Sequence, residues 1–129
     1  MRGALNKILS IEDDPDIRTV IRLALEELGN YTVEICPSGA NALEVAPVFR
    51  PDLILMDAMM PGMDGQETLL ALRDLPEIKE TPVIFMTAKV MSGEVKKFRE
   101  LSGNDVIAKP FDPLALSDRI REIWEFRNG

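Results

Sequence analysis

The sequence predicts a doubly wound α/β sandwich, with helices on both faces of a parallel five-stranded sheet. Two observations carry that prediction. Short apolar runs alternate five times with stretches whose apolar residues recur at helical spacing. The run Leu53-Ile54-Leu55-Met56 is apolar without interruption, the pattern of a strand covered on both faces rather than one with a wet side.

Ile8 to Ile11 is the first strand, and it stops abruptly at Glu12-Asp13-Asp14. Ile17, Val20, Ile21, Ala24, Leu25 and Leu28 then trace one face of a helix, with Asp14-Pro15 as N-cap and first turn and Gly29 as its stop. Asp14 reads as that cap rather than as a ligand. Tyr31 to Cys36 alternates as a strand does, and Ser38 caps a second helix running to about Phe49, weakened near its end by Pro47. The third strand ends at Asp57. Asp64 and Glu67 make a capping box for a helix bearing Leu69, Leu70 and Leu72. Pro82 to Met86 is the fourth strand, stopping at Thr87, and Val95, Phe98 and Leu101 stripe a short fourth helix. Val106 to Ala108 is a short fifth strand ending at Lys109. Asp112-Pro113 opens a last helix whose inner face holds Leu116, Ile120, Ile123 and Trp124.

At 129 residues, 46% hydrophobic and 29% charged, the composition is that of one folded domain over residues 1–129. No linker, repeat or low-complexity segment interrupts it, and the last helix runs nearly to Asn128-Gly129, so no output domain is expected. Acidic residues outnumber basic ones 22 to 15, a net charge of -7 that is a poor match for a phosphate backbone; direct nucleic-acid binding is not expected. No apolar run approaches the roughly 20 residues that span a bilayer, and the first residues lack a signal peptide's apolar core. A cytoplasmic location without membrane association is therefore expected. The single cysteine, Cys36, suits a reducing compartment and reads as a small strand residue rather than a reactive thiol. The chain has no histidine, so any phosphate chemistry must be done by carboxylates or start from a partner.

Four of the five strands end in polar residues: Glu12-Asp13, Asp57, Thr87 and Lys109. Ligand sites in open α/β sheets lie beyond the carboxyl ends of the strands, where strand order reverses. If the order is 2-1-3-4-5, Glu12, Asp13 and Asp57 crowd into one pocket. Carboxylates that close repel unless a hard cation joins them, and an all-oxygen set suits magnesium or manganese. A lysine and a hydroxyl at neighbouring strand ends would complete the coordination of a phosphoryl group. Asp57 is the residue least explained by structure alone, since an ionised carboxylate at the mouth of a buried strand is costly without compensation. Met56, Met59, Met60 and Met63 read as packing rather than as thioether ligands.

Four stretches in order resemble the response-regulator receiver domains of two-component signalling, across essentially the whole chain. They are Ile8 to Pro15, Asp57-Ala58-Met59-Met60-Pro61-Gly62-Met63-Asp64-Gly65, Met86-Thr87-Ala88 and Ala108-Lys109-Pro110-Phe111. The resemblance implies the flavodoxin-like fold: five parallel strands in the order 2-1-3-4-5 with five helices. It makes Asp57 the phosphoacceptor, with Mg2+ (or Mn2+) held by Glu12, Asp13, Asp57 and the backbone carbonyl of Met59. Asp13 is the direct ligand of the acidic pair. Glu12, where the family usually has Asp, reaches the ion through water. Thr87 becomes the switch hydroxyl and Lys109 the partner of a phosphoryl oxygen, with the Lys109-Pro110 bond usually cis. Small Ala88 leaves the site open to a phosphohistidine. Val106 stands where the family commonly has Tyr or Phe, so an aromatic relay is missing.

The reading that follows is a signalling phosphoacceptor and not an enzyme. It takes phosphoryl from a sensor histidine kinase or histidine phosphotransfer protein onto Asp57. It signals to a downstream protein through the face of the fourth helix, fifth strand and last helix. One alternative is a receiver fragment of a larger regulator or hybrid kinase. Another is a small magnesium-dependent phosphatase, which usually has a second Asp two residues after its nucleophile, where this chain has Met59. A receiver-like module that is never phosphorylated would lack one of Glu12, Asp13, Asp57 or Lys109.

Overall fold

Along the strands, successive apolar residues point alternately into two cores, and that alternation decides where each helix can sit. The structure, a computed structural model, describes residues 4–60, 62–87 and 106–128. Within them Lys7–Ile11 (β1), Thr32–Cys36 (β2), Leu53–Asp57 (β3), Val83–Thr87 (β4) and Val106–Ala108 (β5) form one parallel sheet. Its order is β2-β1-β3-β4-β5, the order the resemblance implied. The helices are Pro15–Arg22 (α1), Gly39–Phe49 (α2), Gly65–Arg73 (α3) and a last helix, Leu116–Asn128. The expected fourth helix around Val95, Phe98 and Leu101 lies outside the described residues, as do Pro61 and Ala88.

One core joins Leu9, Ile11, Ile54, Met56, Val83 and Phe85 to α2 and α3. The other joins Ile8, Leu53, Leu55, Ile84 and Met86 to α1 and the last helix. β3 lies between them and is buried at all five residues. Burying its four apolar side chains contributes roughly 6–12 kcal/mol before entropy. That exceeds the several kcal/mol cost of drawing one carboxylate, Asp57, in after them.

The sequence signals act at the helix ends as expected. Asp14 Oδ1 accepts from Asp16 N at 2.8 Å and Ile17 N at 3.3 Å, ahead of Pro15. Ser38 Oγ accepts from Asn41 N, and Asp64 and Glu67 form the reciprocal capping box. α2 carries Pro47 inside it and still reaches Phe49.

Three expectations change. The first helix does not stay α-helical to Gly29: Leu23–Leu28 continues α1 as a π-helical segment. The wider turn moves Leu28 off the buried face, leaving it 48% exposed. On α3, Leu69 and Leu72 are buried but Leu70 is 62% exposed, because a residue adjacent to Leu69 points about 100° away from it. Asp112 does not open the last helix directly. Its Oδ1 accepts from Leu114 N in a turn, and regular helix starts at Leu116.

Two positions give stability predictions. A Cβ on Gly65 would lie 2.9 Å from the Ala58 Cα and 3.0 Å from the Asp57 carbonyl oxygen, so backbone must yield. Gly65→Ala should destabilise the fold by about 1–3 kcal/mol in urea denaturation. Ser10 Oγ is buried in β1 and has no hydrogen-bond partner among the described residues. By the same assay Ser10→Ala should leave stability unchanged or raise it by up to about 1 kcal/mol.

Candidate functional site

Hydrogen bonds of the sheet continue one residue past the strand ends, and they fix the polar residues that follow. Glu12 N donates to Cys36 O, Ala58 N to Met86 O, and Lys109 N to Thr87 O, each at 2.9 Å. Ile11 pairs in register with Met56, Asp57 with Met86, and Thr87 with Ala108. Glu12, Asp57, Thr87 and Lys109 therefore occupy one edge of the sheet on four neighbouring strands. The predicted cluster exists.

Carboxylate oxygens of Glu12, Asp13 and Asp57 all lie within 4.8 Å of one another. Two unit charges at that spacing repel by roughly 3–4 kcal/mol at an effective dielectric near 20. Glu12 is 1% exposed and Asp57 5%, while Asp13 is more open to water. Lys109 answers this repulsion. Its Nζ lies 2.9 Å from Glu12 Oε1 and 3.1 Å from Asp57 Oδ2, with its side chain only 15% exposed. Burial alone would lower the lysine's pKa, but its bonds to Glu12 and Asp57 outweigh that and leave it above its ordinary value. Glu12 goes the other way. Burial pushes its carboxyl up to about 7, with the neighbouring Asp57 adding to the rise, against the opposing bonds from Lys109 and Asp14 N. Among the described residues one ammonium faces three carboxylates, which leaves them short of positive charge. A hard divalent cation fits that donor set and that deficit.

Two of the carboxylates also accept from a backbone N–H. Asp57 Oδ1 accepts from Met59 N at 3.1 Å, and Glu12 Oε2 from Asp14 N at 3.2 Å. The Lys109-Pro110 bond is cis, as the resemblance implied. Met59 itself is 58% exposed. Thr87 is buried at the end of β4. Val106 packs beside the first core, in register with Phe85. Cys36 is buried, and burial pushes its thiol up to about 11, which fits a packing role.

One residue here escapes sequence reasoning. Arg18 Nη1 donates to the carbonyls of both Glu12 and Asp13, at 3.0 and 2.8 Å. The apolar stripe of α1 gives no reason to single out an arginine on its flank. Its position four residues after the cap Asp14 is the only available signal.

Comparison with known proteins agrees with this geometry. Residues 8–121 match the family model described as response regulator receiver domain. The transcriptional regulatory protein CseB of Streptomyces avermitilis is 38% identical over 116 residues, 90% of this chain and 48% of that protein. The chain thus spans about half the length of this curated relative. The Vibrio cholerae chemotaxis protein CheY4 superposes with a TM-score of 0.85 at 28% identity, covering 93% of this chain and 99% of that one. The receiver domain of sensor histidine kinase PA1611 from Pseudomonas aeruginosa, solved with a magnesium ion coordinated in its active-site cleft, gives 0.80 at 32% identity. That match covers 93% of this chain and 98% of the other.

The raised Glu12 pKa sets a pH dependence. Between its ordinary value, 4.5, and about 7 the folded protein keeps a proton that the unfolded chain has lost. This contribution to stability is complete below the lower value and is lost as pH rises through the upper one. In EDTA, the stability of the wild type relative to Glu12→Gln should therefore fall from pH 5 to pH 8, read from urea midpoints at each pH.

Proposed function

The chain belongs to the response regulator receiver domain family, and from that premise we propose that Asp57 is its phosphoacceptor. It is a receiver domain of the kind that response regulators and sensor histidine kinases carry. The observation that carries the proposal is Asp57 itself: a buried carboxylate clustered with Glu12 and Asp13 and paired with the Lys109 ammonium, which also bonds Glu12.

Glu12, Asp13 and Asp57, with the carbonyl of Met59, are the residues that would hold Mg2+ or Mn2+. Bound there, the ion supplies charge neutralisation and polarises a phosphoryl oxygen. Asp13, the most open of the three, would be the direct ligand of the acidic pair. Glu12 has both oxygens engaged, one with Lys109 and one with Asp14 N, and would act through water. An oxygen of Asp57 attacks phosphorus, forming the O–P bond as the N–P bond of a partner's phosphohistidine breaks. Lys109 already lies within ion-pair distance of the attacking carboxylate, and its ammonium moves onto a phosphoryl oxygen. The Thr87 hydroxyl donates to another.

The donor is a sensor histidine kinase or a histidine phosphotransfer protein in the cytoplasm. The output is a downstream protein that reads the face around β5 and the last helix as Thr87 is drawn inward. The role is storage and not turnover, because Met59 offers no acid where aspartate-nucleophile phosphatases carry one. Residues 1–129 form one such unit.

With Mg2+ and acetyl phosphate, intact-mass analysis should show one hydroxylamine-labile phosphate on the wild type. Asp57→Asn should show none, nor should the wild type in EDTA. Equal labelling of Asp57→Asn would move the acceptor elsewhere.

A further inference from the structure

We infer that Arg18 is a positioning residue for the metal-binding edge, acting through backbone carbonyls and not through the ion. The inference rests on the proposed role of Glu12, Asp13 and Asp57 in holding a divalent cation. A single guanidinium nitrogen, Arg18 Nη1, donates to two successive carbonyls, Glu12 O and Asp13 O. Both peptide dipoles then point their negative ends at Arg18.

The second of these peptides is gripped on both sides. Its carbonyl, Asp13 O, accepts from Arg18 at 2.8 Å. Its N–H, that of Asp14, donates to Glu12 Oε2 at 3.2 Å. In a planar trans peptide the C=O and N–H point in opposite directions, so neither bond can turn without the other. The same peptide lies between the side chain of Asp13 and the cap formed by Asp14. Arg18 thereby sets three things together: the direction in which Asp13 leaves the backbone, the engagement of Glu12 Oε2, and the entry angle of α1. Other links tie the segment to the sheet through Glu12 N and Cys36 O, and to α1 through Arg18 N and Asp14 O and through the Asp14 Oδ1 cap. None of those bonds is made by the C=O or N–H of the Asp13–Asp14 peptide.

Without Arg18 that peptide loses one of its two grips and keeps the bond from Asp14 N to Glu12 Oε2, so part of the carboxylates' order must be regained when a cation binds. Removing an outer partner of a metal ligand typically costs about 10–100-fold in affinity. The apolar stem of the side chain, by contrast, adds only ordinary packing.

The test is isothermal calorimetry of Mg2+ binding to the whole chain, paired with urea unfolding of each variant. Arg18→Met keeps the stem and removes the donors, and its Mg2+ Kd should rise about tenfold or more. Arg18→Lys restores one donor and should recover part of the affinity. Asp52→Ala is the control for general destabilisation. Its carboxylate holds Asn6 N and Lys7 N at the opposite end of the sheet, so the Kd should not change. An Arg18→Met Kd equal to wild type, with only stability reduced, would overturn the inference while leaving the metal site standing. So would equal weakening by Arg18→Met and Asp52→Ala. A wild type that binds no Mg2+ overturns the inference and the reading beneath it together.

Discussion

Among the described residues, three carboxylates share one edge of the sheet with a single ammonium, and this imbalance organises the rest of the molecule. Glu12, Asp13 and Asp57 are held within 4.8 Å of one another although each would be better solvated apart. What holds them there is the apolar bulk of β1 and β3, buried on both faces, which leaves the strand ends no freedom to separate. Lys109 relieves part of the repulsion by lying against Glu12 and Asp57. The remainder is stored as an affinity for positive charge and for groups that bring it. The site is stressed by design of the sheet order: any order that parted β1 from β3 would remove the stress and the chemistry with it.

Much of this was legible in the sequence because it depends on short-range rules. The unbroken apolar run before Asp57, the Asp14 cap with Pro15, and the Asp64–Glu67 box each specify local structure that packing does not override. Polar residues at four strand ends pointed to one functional edge. The order of the strands came from the family resemblance, since alternation alone leaves several parallel orders open. Less visible was anything set by tertiary geometry. The π-helical continuation of α1 arises where the helix meets β2 and the last helix, and it turns Leu28 outward against its helical period. The Lys109–Glu12 pair joins residues 97 positions apart. Arg18 acts through main-chain carbonyls, which carry no side-chain signature to read.

The way the signal leaves the edge follows from what replaces an aromatic relay. Val106 is too small and too stiff to swing between an inner and an outer position, as a β-branched residue has one dominant rotamer. In register beside it lies Phe85, fully buried in the first core. On the proposed switch, motion of Thr87 would be passed on by backbone shift of β4 and β5, through the Lys109 N to Thr87 O bond, rather than by a ring changing sides. Such coupling would move a whole strand end, in keeping with the proposed partner that reads the shape of a face.

The central claim is that Lys109 is the internal counter-ion of a carboxylate cluster still short of positive charge. Carboxyl 13C NMR titration of Glu12 in metal-free protein, in the wild type and in Lys109→Met, tests it most directly. The account predicts that Glu12 titrates near pH 7 in the wild type, where burial raises it against the opposing Lys109 bond, and higher still once that bond is lost. A wild-type Glu12 titrating near its ordinary value of 4.5, or one unmoved by Lys109→Met, would contradict it.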